Sequence, residues 1–228
     1  MSSPEKTKVL LVEDHPMFRE RLAHLIGKDG TMTVCAECDH VRAAHEAIAR
    51  AKPHIAIVDL TLRGSSGLEL IKDLKAQQIE LPVLVLSMHD ETLYAERVLR
   101  AGARGYITKH EASTEVMAAI RRVLAGEIYL SPQMTGKVLQ KLAAGAAPKR
   151  ECAELLTDRE LEVFQLIGSG RAAREIAATL NVGATTVDTY RARIKEKLGL
   201  RTGAELNAAA GRWAAGQHAA QPADASLR

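Results

Sequence analysis

The chain has 228 residues, 46% of them apolar and 26% charged, with a formal net charge of +3. That length suits two modest domains, and the composition is that of packed globular cores, not of a fibrous or disordered chain. No apolar run reaches the length of a membrane span and the first residues, Met-Ser-Ser-Pro-Glu-Lys, hold no apolar leader, so a cytoplasmic protein with no membrane partner is expected; the net charge alone does not mark a nucleic-acid binder.

Residues 7–125 alternate strand and helix signals. The first strand is Lys8 to Glu13, followed by a helix with Pro16 in its first turn and a stripe of Phe18, Leu22, Leu25 and Ile26. Met32 to Glu37 is a second strand, and an alanine-rich helix from Arg42 to Ala51 stops before Pro53. Ile55 to Asp59 is a third strand, apolar until its last residue; Gly64 to Gly67 reads as a loop before a helix marked by Leu68, Ile71 and Leu74. Val83 to Ser87 and Gly105 to Thr108 are further strands, separated by a helix from Glu91 to Ala101. Val116, Ala119, Ile120, Val123 and Leu124 give the fifth helix a clean apolar stripe. Five such units with short connections predict a doubly wound five-stranded parallel sheet, flavodoxin-like in class. Cys35 and Cys38 have metal or redox spacing, but residues three apart on a strand point to opposite faces and no further ligands are evident, so a zinc or redox site is not expected.

After Gly126 the pattern changes. Residues 126–153 read as a partly helical linker, with a helix over 131–146 and an unpacked stretch over 143–151. Residues 154–215 carry only short helices, and 216–228 lack the apolar content to pack.

Strand ends give the first domain its chemistry. In a wound sheet the carboxyl ends of the strands share one edge, which here gathers Glu13, Asp14, Asp59, Ser87 and Lys109. Three carboxylates together call for a hard cation, Mg²⁺ or Mn²⁺, held by Glu13, Asp14, Asp59 and the backbone carbonyl of Thr61. An aspartate can attack phosphorus and form an acyl phosphate. Lys109 and the Ser87 hydroxyl would then meet the phosphoryl oxygens. Singly, Ser87 could be a strand-end cap and Lys109 a solvated lysine; at neighbouring strand ends they read as one site.

Val-Glu-Asp-His-Pro (12–16), Val-Asp-Leu-Thr-Leu (58–62), Leu-Ser-Met-His (86–89) and Ala-Gly-Ala-Arg-Gly-Tyr-Ile-Thr-Lys (101–109) resemble a bacterial response-regulator receiver domain. The resemblance implies phosphotransfer from the phosphohistidine of a sensor histidine kinase to Asp59. It also implies a switch pair, Ser87 and Tyr106, with Tyr106 turning inward on phosphorylation. His110 departs from the proline that often follows the lysine.

In the second domain, Thr157 and Glu160 form a capping-box signature ahead of Leu161, Phe164 and Ile167. A helix over Ala173–Leu180, a turn at Asn181-Val182-Gly183 and a helix over Ala184–Leu198 make a helix-turn-helix. Residues 184–201 hold Arg191, Arg193, Lys195, Lys197 and Arg201 against Asp188 and Glu196. Such a basic helix suits phosphate contacts. The run from Leu156 to Leu200 is similar to the LuxR-type DNA-binding domain, and the whole chain to the NarL/FixJ class of response regulators. That resemblance implies a helix-turn-helix at about 173–192 on promoter DNA, with a last helix, about Thr202–Trp213, pairing two copies into a phosphorylation-dependent homodimer. Asp188, Thr189 and Ala192 would face bases; Thr185, Thr186, Tyr190, Arg191, Arg193, Lys195 and Lys197 complete the expected DNA face. Asp188 and Tyr190 stand where the family usually has lysine and histidine, which unsettles the base preference. The resemblance further implies that the unphosphorylated receiver hides the recognition helix. The reading is of a transcription regulator, not an enzyme beyond assisting its own phosphotransfer. Two rivals are a Mg²⁺ phosphatase, which lacks a second acid beside Asp59, and a phosphate-independent pseudo-receiver.

Overall fold

The computed structural model describes residues 6–62, 65–89, 91–143 and 155–219. They belong to two compact units, residues 1–147 and 148–228. Most of the unpacked stretch expected over 143–151, Cys152, and residues 220–228 of the expected tail lie outside the described residues.

In the first unit, β1 (Thr7–Val12), β2 (Met32–Cys38), β3 (Ile55–Asp59), β6 (Val83–Ser87) and β7 (Gly105–Thr108) form one parallel sheet in the order β2-β1-β3-β6-β7. That is the flavodoxin-like order, whose reversal point lies between the first and third strands. Both faces of the sheet are covered, which is why β3 and β6 are buried at every position and their sequences do not alternate. On one face, Leu22 and Ile26 of α1 (Pro16–Lys28) and Val116, Ala119, Ile120 and Val123 of α5 (Ala112–Leu124) join Val9, Leu11, Ile55, Ile57, Leu84 and Ile107 in a single apolar cluster. On the other lie α2 (Val41–Ala51), α3 (Gly67–Ala76) and α4 (Glu91–Ala101), packed in series.

Three local features differ from expectation. The stretch Gly64 to Gly67, read as a loop, holds a two-residue strand, β5 (Ser65–Ser66), paired antiparallel with another just before it, β4 (Thr61–Leu62). Strands this short leave no periodicity to detect. Ser66 also caps α3, accepting from Leu68 N–H at 3.3 Å. Secondly, the β1–β2 register shifts so that Val9 pairs with Val34 but Leu10 with Ala36, leaving Cys35 as a bulged residue. Simple alternation therefore fails at Cys35. What argues against thiol chemistry is burial, which raises the Cys35 thiol and pushes Cys38 up to about 11. Thirdly, the start of α3 presses on β3. A Cβ on Gly67 would stand 1.9 Å from the Asp59 carbonyl oxygen, so only glycine fits where the chain leaves Asp59.

Beyond α5, Tyr129 pairs with the edge of β7 and α6 (Pro132–Ala143) follows, burying Met134.

The second unit consists, among the described residues, of α7 (Asp158–Gly168), α8 (Ala173–Thr179), α9 (Ala184–Leu198) and α10 (Gly203–Ala219). Leu161, Phe164, Ile176, Val187, Ile194 and Leu206 are its buried centre. The capping box at α7 is formed: Thr157 Oγ1 accepts from Glu160 N–H at 3.4 Å and Glu160 Oε2 from Thr157 N–H at 2.7 Å. Asn181, at φ 51, turns the chain between α8 and α9, and Gly199, at φ 66, ends α9. α10 runs to Ala219, past the boundary expected near Ala215; its many alanines are strong helix formers. Among the described residues no helix is long and apolar enough to cross a membrane.

Candidate functional site

The reversal of strand order puts the ends of β1 and β3 side by side. Glu13 and Asp14 follow β1, Asp59 ends β3, and Glu13 and Asp59 are both buried. Lys109, just after β7, reaches across: its Nζ lies 2.7 Å from Asp59 Oδ2 and 2.7 Å from Glu13 Oε2, and 4.8 Å from the centre of the Phe18 ring. Burial works against the lysine's charge, but the two carboxylates more than offset it and hold its pKa above the ordinary value. Asp59 moves the other way from most paired carboxylates. Burial lifts it to about 6, although Lys109 opposes the rise, because Glu13 adds repulsion. The Thr61 N–H donates to Asp59 Oδ1 at 3.3 Å.

Glu13, Asp14, His15 and Asp59 can each turn one ligand atom to a common centre, all within 4.8 Å of one another. Asp14 Oδ1 is buried and accepts no hydrogen bond, though it lies 2.8 Å from His15 Nδ1. An orphaned carboxylate oxygen amid further carboxylates fits a hard divalent cation. His15 was not singled out in the sequence; it stands inside the Val-Glu-Asp-His-Pro motif, and its mostly exposed ring hydrogen-bonds Glu13 Oε1 at 3.1 Å.

Ser87 is fully buried, and its Oγ accepts from His89 N–H at 3.2 Å. Tyr106, expected to turn inward on phosphorylation, is already inward here. It is fully buried and its hydroxyl donates to the His89 carbonyl at 2.7 Å, because a carbonyl within reach satisfies a phenol that would otherwise be buried unpaired. His89 also escaped the sequence reading. Its ring shares a 3.0 Å hydrogen bond with Thr61 Oγ1 and stacks on Tyr94 at 4.6 Å.

In the second unit, Thr185, Thr186, Asp188, Thr189, Ala192 and Arg193 are exposed along α9, while Tyr190, Arg191 and Lys195 are half-buried. Two of the expected cations have partners inside the unit. Lys197 Nζ donates to the buried Glu160 at 2.6 Å, and Arg191 reaches Asn207 at 3.5 Å.

Comparisons with known proteins match both units. Residues 9–121 match the response regulator receiver domain family, and residues 154–210 match the bacterial regulatory proteins of the luxR family. The probable transcriptional regulatory protein NarL of Mycobacterium tuberculosis is 32% identical over 197 residues, covering 86% of this chain and 90% of that one. This chain is a response regulator of the NarL/FixJ class. The transcriptional regulatory protein UhpA of Salmonella typhimurium is 35% identical over 198 residues, covering 87% of this chain and 94% of its own. Among solved structures, a LuxR-family two-component response regulator from Aurantimonas sp. superimposes with a TM-score of 0.56 at 29% identity, over 61% of this chain and 99% of that one. RcsB of Salmonella enterica, in a structure bound to promoter DNA with the phosphomimetic BeF3⁻, shares the fold with a TM-score of 0.59 at 23% identity, over 91% of this chain and 100% of its own. A NarL/FixJ response regulator is a two-component transcription regulator with a DNA-binding helix-turn-helix, so the phosphatase and pseudo-receiver readings are not favoured.

Proposed function

We propose that Asp59 is the phosphoacceptor of this regulator, acting in the cytoplasm on a signal from a sensor histidine kinase. The observation that carries this reading is the buried Asp59–Lys109–Glu13 bridge, with both ion pairs at 2.7 Å. An Asp59 oxygen attacks phosphorus and the P–N bond breaks in a phosphohistidine already protonated on its other ring nitrogen, so the leaving group departs as neutral imidazole. Lys109, freed from Asp59 Oδ2 as the new bond forms, follows the charge onto a phosphoryl oxygen. Ser87 turns its hydroxyl from the His89 amide to another. Glu13, Asp14, Asp59 and the Thr61 carbonyl would hold Mg²⁺ or Mn²⁺, which supplies charge neutralisation at the phosphoryl oxygens. Ser87 and Tyr106 form the switch pair that reports the phosphate.

The output is DNA binding. α9 enters the major groove with Asp188, Thr189 and Ala192 toward bases, and phosphorylation favours a homodimer paired through α10. Thr185, Thr186 and Tyr190 flank the base-facing set. Arg193 and Lys195 carry the phosphate contacts, since Arg191 and Lys197 are engaged within the unit. The test is Mg²⁺-dependent phosphate incorporation from a small-molecule donor. Labelling in wild type that is absent in Asp59→Asn is expected; no labelling of the folded wild type, beside an active control, would sink the reading.

A further inference from the structure

The chain between α5 and α6 is fastened to the receiver unit at two places. Tyr129 extends the sheet at β7: its N–H donates to Arg104 O and its carbonyl accepts from Tyr106 N–H, both at 2.9 Å. Two residues on, Ser131 is held by Glu91, the first residue of α4. The Glu91 carboxylate accepts from the Ser131 N–H at 2.8 Å and, through its other oxygen, from the Ser131 hydroxyl. Ser131 Oγ in turn accepts from Met134 N–H at 3.1 Å and so caps the first turn of α6. One carboxylate thus fixes the residue that starts the helix leading out of the receiver. A charged acceptor taking two donors is a stronger tie than a neutral hydrogen bond.

Both anchors lead back through contacts to Ser87 of β6, the strand paired with β3 and its Asp59. Tyr106 gives its N–H to Tyr129 and its hydroxyl to the His89 carbonyl. His89 gives its N–H to Ser87 Oγ, and its ring lies on Tyr94 of α4. Ser87 holds the His89 N–H and His89 lies on Tyr94 of α4, so a shift of Ser87 toward a phosphate on Asp59 pulls on the helix whose first residue is Glu91. Glu91 cannot move far without carrying Ser131 along or releasing it.

We propose that the Glu91–Ser131 pair is the joint through which phosphorylation repositions the start of α6, and hence the route by which the receiver's state reaches the DNA-binding unit. Glu91 and Ser131 are positioning residues here and touch no phosphate. The inference rests on Asp59 being the phosphoacceptor. Its physical content is that the two receiver states make different contacts at this pair.

The experiment uses the full chain, acetyl phosphate with Mg²⁺, and DNA fragments that the wild-type protein selects from a random-sequence pool. Wild type, Glu91→Gln, Ser131→Ala and Ser131→Thr are compared for labelling and for the ratio of DNA affinities with and without phosphate. Wild type is expected to label and to gain affinity by a factor in the usual range for coupled sites, about 5–150. Glu91→Gln and Ser131→Ala are expected to label equally well while the ratio falls close to one, and Ser131→Thr, which keeps the hydroxyl, to retain it. Glu91→Gln leaves the Ser131 cap of α6 in place and so separates a lost joint from a frayed helix. Unchanged ratios in both Glu91→Gln and Ser131→Ala, or affinities lowered alike in both states, would overturn the proposal alone. A wild type that neither labels nor gains affinity would bring down the phosphoacceptor reading and the proposal with it.

Discussion

At the scale of single residues, the burial of Asp59 predicts a receiver whose stability depends on pH. Its carboxyl rises from an ordinary 3.8 to about 6, chiefly through burial. A raised pKa means that the folded state holds the proton more tightly, so this contribution to stability is whole below 3.8 and is lost as pH climbs through about 6. In metal-free buffer the melting temperature of the receiver should fall over that window, and Asp59→Asn should flatten the fall. Mg²⁺ held by Asp59, as proposed, would compete with the same proton. Its stabilisation of the receiver, which follows its binding to the folded state alone, should therefore grow with pH through about 6. Calorimetry at constant ionic strength reads both effects; a Mg²⁺ gain equal on either side of the window would remove Asp59 from the ligand set. Asp188 carries the second residue-scale prediction. It is exposed on α9, and Arg191, one turn on, reaches Asn207 instead of neutralising it. A lone carboxylate is repelled by phosphates and can accept from the amino group of cytosine. Asp188→Ala should erase about 1–3 kcal/mol of discrimination at one base pair, read by binding-site selection. Selection of the same sites by both proteins would take Asp188 off the base-reading list.

At the scale of elements, the join between α7 and α9 is electrostatic. Glu160 caps α7 through Thr157 and meets Lys197 of α9 at 2.6 Å. Burial pushes the Glu160 pKa up, but Lys197 and Thr157 together leave it below its ordinary 4.5. A depressed folded pKa gives stability that is present above 4.5 and is lost as pH falls through the folded value. Acid should therefore weaken the second unit more in wild type than in Glu160→Gln, and at neutral pH the variant should be less stable by about 1 kcal/mol, the usual worth of a cap. Urea titrations at two pH values test this. The same pair shows where sequence reading stopped. The capping box was legible because its residues are three apart. The claim of Glu160 on Lys197 was not, because it spans 37 positions and depends on how α9 packs. Likewise β3, β6 and α9 followed from apolar runs and turn residues, and the gathering of Glu13, Asp14, Asp59 and Lys109 from their places at strand ends. The antiparallel pairing of Thr61–Leu62 with Ser65–Ser66, the bulge at Cys35 and the inward Tyr106 depend on register and on contacts between elements, which periodicity does not encode.

At the scale of the molecule, two units with separate cores must exchange a signal worth more than thermal energy. Effector coupling of about 1–3 kcal/mol is typical, and it requires phosphate to change what the receiver does to DNA binding. If the unphosphorylated receiver restrains the second unit, removing it should act like phosphorylation. Residues 150–228 alone should then bind selected DNA tighter than the unphosphorylated full chain, by up to the factor that phosphate itself provides. Anisotropy titrations must be made at one salt concentration, because phosphate contacts make affinity fall steeply with salt. The fragment carries Arg193 and Lys195 unchanged, so its salt slope per protein bound should match that of the full chain, which separates relief of a restraint from a new set of contacts. A fragment that binds no better than the unphosphorylated chain would mean there is no restraint to lift. The receiver would then act by pairing two copies, and the phosphorylation gain should shrink as protein concentration rises far enough for the unphosphorylated chain to pair as well, as an assembly step requires.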